Sequence, residues 1–201
     1  MRLVAIVIIA AAAKASWAGI GEEQRNVPVC MDENNDSLVI GPAKATTSQI
    51  FARIGVKIQW HRMSECPASG AILVNLSQPT QDDQRPGALA YALPFEGTHI
   101  VVFYDRVKQT SDPGLEFRLL AYVMAHEIAH ILERINVHSQ TGIMKARFDR
   151  RDQFAMAKNR FRFTNEDVER IDAGLNARCA PAQAVAHEHA PALNRGEKQD
   201  R

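Results

Sequence analysis

Residues 112–131, DPGLEFRLLAYVMAHEIAHI, decide how this chain is read. Asp112 offers a cap and Pro113 suits the first position of a helix, so a long helix is predicted to open there. Phe117, Leu120, Met124, Ile128 and Ile131 recur at helical spacing, while Leu119, Tyr122 and Val123 make the other side apolar too. The expectation is a helix buried nearly all round. His126 and His130 are four apart and project from one face of it. Ionisable side chains at buried positions need partners, because desolvation without one is costly. A metal ion supplies such a partner. Neutral imidazole is a common zinc ligand, and two at this spacing converge on one ion. Glu127, beside them, is placed to reach a metal-activated water as a general base.

The rest of the chain sets the context. Its 201 residues fit one ordinary domain plus tails. The net charge of +1 gives no reason to expect nucleic acid as a partner. Arg147, Arg150, Arg151, Lys158, Arg160 and Arg162 make one stretch locally basic, which reads as a solvated helix face in preference to the alternative, an anionic-ligand site. At the N-terminus, Arg2, an apolar run over 3–13 and Ser16-Trp17-Ala18 form a signal-peptide pattern, with cleavage expected after Ala18. Ala13-Lys14-Ala15 is a second candidate site. The run is short for a transmembrane helix, so no stable membrane anchor is expected, an uncleaved anchor being the alternative. The mature protein is then secreted or periplasmic, a compartment that permits disulfides. Cys30, Cys66 and Cys179 allow one bridge and one free thiol, with Cys30–Cys66 preferred and the other pairings left open.

Between these ends, 27–32 reads as a strand. Thr46, Thr47 and Ser48 offer caps for a helix carrying Ile50, Phe51 and Ile54, which Gly55 is placed to end. The alternation over 56–60 predicts a half-buried strand, and the continuous apolar run 71–76 one covered on both faces. Gly87, Ala88, Leu89, Ala90, Tyr91 and Ala92, bounded by prolines, read as an edge strand. A further strand is expected over 99–105. Thr164 is a cap for a last helix, with Phe163 and Val168 as a staple, running to about Ala177. From 179 onward the composition predicts a disordered tail, and His187 and His189 within it lack a scaffold for tight metal binding.

Catalytic zinc normally has three protein ligands plus water. His138 is the nearest third candidate, followed by Ser139 and Gly142-Ile143-Met144. On these residues the chain resembles a metzincin metallopeptidase, whose motif is His-Glu-x-x-His-x-x-Gly-x-x-His followed by a methionine-containing turn. His126, Glu127 and His130 match the motif, and His138-Ser139 is similar to the third ligand and serine of the matrixin branch. Met144 is similar to the turn methionine, which in the family packs beneath the histidines. Two departures stand out: Glu133 occupies the glycine position and Asn136 that of the third histidine. His138 therefore comes two residues late, and the helix is expected to run further before its turn. Lys145 and Ala146 follow Met144 where other branches have a tyrosine, so no tyrosine ligand is assigned.

The resemblance implies an α/β (α+β) fold: a twisted, mixed five-stranded sheet with an antiparallel edge strand, two long helices and a small C-terminal helical subdomain. Residues 1–18 would be the signal peptide, 19–178 the catalytic domain and 179–201 the tail. It also implies a secreted endopeptidase with one catalytic Zn2+ held by His126, His130 and His138, and Glu127 as general base. A protein or peptide would bind extended along 87–92 by β-augmentation, with Ala146 and Phe148 walling a side-chain pocket. Three other layouts stay open. Glu166 could be the third ligand, as in thermolysin-like zincins, although Glu169 and Arg170 replace the rest of that motif. The chain could be a zinc-containing binding protein without turnover, or the helix could hold no metal. Oligomeric state is not legible.

Overall fold

The computed structural model describes residues 25–32, 37–78, 87–93 and 98–179. The leader expected over 1–18 lies outside them, as do the tail beyond Cys179 and the two histidines within it. Five strands form one sheet: β1 (Asn26–Met31), β2 (Lys57–His61), β3 (Ile72–Ser77), β4 (Ala90–Ala92) and β5 (His99–Phe103). Their spatial order is β2-β1-β3-β5-β4, with every pair parallel except β4 against β5. Among the described residues there are also five α-helices, α1 (Ser37–Ala52), α2 (Tyr104–Thr110), α3 (Glu116–Glu133), α4 (Arg150–Ala157) and α5 (Asn165–Cys179), and one 3-10 turn at Met63–Glu65. The mixed sheet and its antiparallel edge strand are as expected.

Helix α3 is the spine. Every residue from Leu119 to Glu133 is buried, so the expectation of all-round burial holds. It packs on α1, the sheet and α5. It begins at Glu116, not at Pro113, because Asp112 and Leu115 close a turn first (Leu115 N–H to Asp112 carbonyl, 3.0 Å).

Helix α1 corrects a larger misreading. It starts at Ser37 and runs through Pro42, so Thr46, Thr47 and Ser48 are mid-helix and cap nothing. Proline is tolerated because the carbonyl it leaves without an intrahelical partner, that of Leu38, lies in the exposed first turn. The three hydroxyls do other work. Thr46 and Thr47 donate back to the carbonyls of Pro42 and Ala43, and Thr47 also reaches the Ala121 carbonyl of α3 at 3.2 Å. Ser48 accepts from the Trp60 indole.

Three strand expectations also change. The last strand stops at Phe103 and the chain turns directly into α2, which β-rich composition concealed. β3 is not covered on both faces: Ile72 and Val74 are buried, Leu73 and Leu76 only partly, and Asn75 is exposed. The edge strand is shorter than 87–92. Its ladder covers Ala90–Ala92, extended by a hydrogen bond from Phe103 N–H to the Leu89 carbonyl.

Cys30 and Cys66 form the disulfide, tying β1 to the segment after β2. The loop it closes spans 36 residues, and such closure stabilises by about 4 kcal/mol on a chain-entropy argument. Gly174 sets how closely α5 approaches α3. A Cβ there would lie 1.8 Å from the Leu132 carbonyl oxygen, so any side chain would force the two helices apart.

A three-histidine centre in an open cleft

His126 and His130 sit one turn apart near the end of α3, both buried. His138 comes to them from the loop beyond the helix and is exposed at the cleft. One ligand atom from each of the three lies within 4.8 Å of the others. The ring centroids of His138 are 5.3 Å from His126 and 5.0 Å from His130.

The late third histidine is accommodated in the loop. Helix α3 ends at Glu133, and Arg134 turns the chain by adopting the left-handed conformation (φ 57°) that the family motif leaves to glycine. The turn thus comes one residue later than the motif's glycine position, Glu133, which is still helical; Arg134 N–H bonds the His130 carbonyl, and the rest of the added length lies in the loop before His138.

The protonation pattern follows from hydrogen bonding. His126 Nδ1 is 2.7 Å from the Ile143 carbonyl and His130 Nδ1 3.1 Å from that of Ile135. A carbonyl only accepts, so both Nδ1 atoms carry the proton and both Nε2 atoms keep a lone pair. Those two Nε2 atoms face each other at 3.1 Å. Two acceptors so close, with no proton between them, repel unless a cation sits before them. Nitrogens each about 2.1 Å from a tetrahedral ion lie about 3.4 Å apart, so the donor set fits zinc.

Burial pulls the His126 imidazole down to about 4 and His130 to about 3, the latter helped by the other two rings; burial also lowers His138. All three stay neutral near pH 7, the form a metal needs. Without metal, the unfolded chain binds more protons than the folded one between these values and about 6.5, so the histidines' contribution to stability is lost as pH falls. Glu133 acts in the opposite sense. Burial raises its carboxyl to about 7, so that group gains stability as pH falls toward 4.5. Two histidines outweigh one carboxyl. The metal-free protein should melt lower at pH 5 than at pH 7, and Glu133→Gln should steepen that fall; calorimetry at both pH values measures it.

The methionine-bearing turn supports the site from below. Met144 and Ile143 are fully buried. Ser139 N–H bonds the Met144 carbonyl at 2.8 Å, which ties the loop carrying His138 to the turn that holds His126. Gly142 (φ 76°) lets this turn lie on residues 162–164, since a Cβ would meet the Arg162 carbonyl at 2.6 Å.

A buried polar cluster, missed in the sequence reading, anchors the same loop. Asp167 Oδ1 accepts from Ser139 Oγ and from Arg170, while Oδ2 accepts from Thr164 N–H at 2.8 Å. Arg170 also donates to Ser139 Oγ at 3.0 Å and lies 3.5 Å from Glu133, an ion-pair distance beyond good hydrogen-bond geometry. The Asp167 and Glu133 side chains have no exposure. The Thr164-x-x-Asp167 spacing signals the helix cap, and Asp167 N–H does bond Thr164 Oγ1. Nothing local signals the bond to Ser139, 28 residues away. Glu166, the alternative third ligand, is 77% exposed and pairs with Arg170 at 2.7 Å.

A cleft of about 390 Å³ opens over the histidines. Gly87 to Ala92 form one wall, Lys145, Ala146, Arg147 and Phe148 another, and His126, Glu127, His130 and His138 the floor. Gly87, Ala88, Leu89, Ala90, Tyr91, Ala92, Ala146 and Phe148, expected together from the sequence, meet here. Thr110, Val123, Asn136, Lys145 and Arg147 were not foreseen. Among the described residues, β4 has no strand neighbour on its outer side.

Compared with known protein families and curated proteins, the chain matches no family model and no curated sequence.

Proposed function

We propose that this chain is an exported zinc-dependent endopeptidase of the metzincin type. The observation that carries the reading is the convergence of His126, His130 and His138, with Glu127 between two of them, in a cleft walled by what is the edge strand among the described residues. When bound, zinc supplies Lewis acidity, lowering the pKa of water and polarising a carbonyl. The chain's own residues do the rest. β4, the edge strand among the described residues, offers its outer side to an extended peptide, fixing its direction and register across the cleft. The Glu127 carboxylate takes the proton of the attacking water and returns it to the leaving amine. The backbone carbonyls of Ile143 and Ile135 hold His126 and His130 in the ligating tautomer.

The openness of the cleft favours turnover over a structural metal, since structural zinc sites are closed by four protein ligands. Export is supported by the leader-like N-terminus and by the Cys30–Cys66 bridge. The test is cleavage of a peptide library by purified protein. Cleavage should disappear with a chelator and return with zinc; cleavage indifferent to chelation would contradict the proposal.

A further inference from the structure

One residue of the basic stretch after the methionine turn, Arg147, lines the cleft. Among the cleft-lining residues, charge resides on Glu127, Lys145 and Arg147 apart from the histidines. Lys145 is already neutralised, held by Asp149 at 2.8 Å and Asp152 at 2.6 Å. Asp149 itself caps α4 through Arg151 N–H and Asp152 N–H, so this ion pair is fixed in place. Arg147 is exposed and has no hydrogen bond or ion pair among the described residues. Arg150 and Arg151, in the first turn of α4, are exposed and likewise without an ion pair there.

The wall that carries Arg147 also carries Ala146 and Phe148, and Phe148 stacks edge-on against His126 at 5.8 Å. Arg147 thus lines the same cleft as the histidines, next in the chain to the ring that meets His126. The planar fork of its guanidinium matches a carboxylate, and it stays charged at every working pH.

We propose that Arg147 makes the cleft selective for peptides that present a carboxylate next to the scissile bond, an inference that rests on the peptidase reading. The carboxylate comes from an acidic side chain or from the C-terminus of a short product-like peptide. Arg150 and Arg151 extend the positive field and favour encounter with acidic segments, an effect that salt weakens.

The experiment compares kcat/KM for four fluorogenic peptides of one sequence: a neutral one blocked at both ends, its Glu and Lys analogues beside the cut, and the neutral one with a free C-terminus. The wild type should prefer at least one carboxylate-bearing peptide by about three- to fivefold at low salt, as one partly exposed pair allows. The Glu analogue winning assigns the site to side chains; the free C-terminus winning assigns it to chain ends. Arg147→Gln should bring the ratio near one, and Arg147→Glu should turn it toward the Lys analogue. Arg53→Gln, an exposed arginine outside the cleft, should keep the wild-type ratio. Equal rates on neutral and carboxylate-bearing peptides would overturn the proposal, as would a preference that survives in Arg147→Glu. Cleavage of none of the four would remove the peptidase reading and this inference with it.

Discussion

Glu127→Gln should retain the metal and lose about 10²- to 10⁴-fold in peptide hydrolysis, the range that a positioned general base supplies. The substitution keeps the shape of the side chain and removes only its ability to take up a proton. Glu127 is buried on α3 between the two histidines and lines the cleft. It is not part of the ligand cluster, so the ion should stay. The paired readout separates roles. A carboxylate that merely propped the helix would lower the melting temperature and leave cleavage of the surviving folded protein intact. Wild-type kcat with zinc bound would contradict the assignment, and loss of zinc in the variant would show Glu127 to be a ligand.

The site was legible in sequence to the extent that it is local. His126, Glu127 and His130 lie on one helix, where periodicity fixes their common face. His138 and Met144 needed a family resemblance, because loop geometry has no periodicity. Even so, the way the loop reaches the site was not legible. A left-handed Arg134 performs the turn expected of glycine, and nothing in its chemistry advertises that. The tie from Ser139 to Asp167 and Arg170 joins residues some 30 positions apart, beyond any local pattern.

The fold was read unevenly for similar reasons. The sheet's strands announced themselves by alternation and β-branched residues. α1 was cut short because Thr46, Thr47 and Ser48 look like helix caps, whereas here Thr46 and Thr47 bond backward, Thr47 also reaches across to α3, and Ser48 accepts from Trp60. α2 was hidden because Tyr104 continues the apolar run of β5, and only packing decides where the strand gives way. β3 misled in the other direction. Its apolar run promised two covered faces, and the described residues cover one more fully than the other.

Of the three histidines, His138 is the one on which the account turns. Its ring makes no hydrogen bond among the described residues, unlike those of His126 and His130. Its position depends on the backbone of the 134–149 loop, held by Ser139 through Met144 and Asp167. His138→Ala should therefore leave the fold and the other two rings in place while weakening zinc by about 100-fold or more, exceeding the loss expected from an outer-shell partner alone. The direct measurement is zinc per chain, by elemental analysis after dialysis, for the purified protein and for His138→Ala. About one ion is expected in the first and a marked loss in the second. Full retention without His138 would contradict the three-histidine centre, and absence of zinc from both after reconstitution would remove the metal from the account altogether.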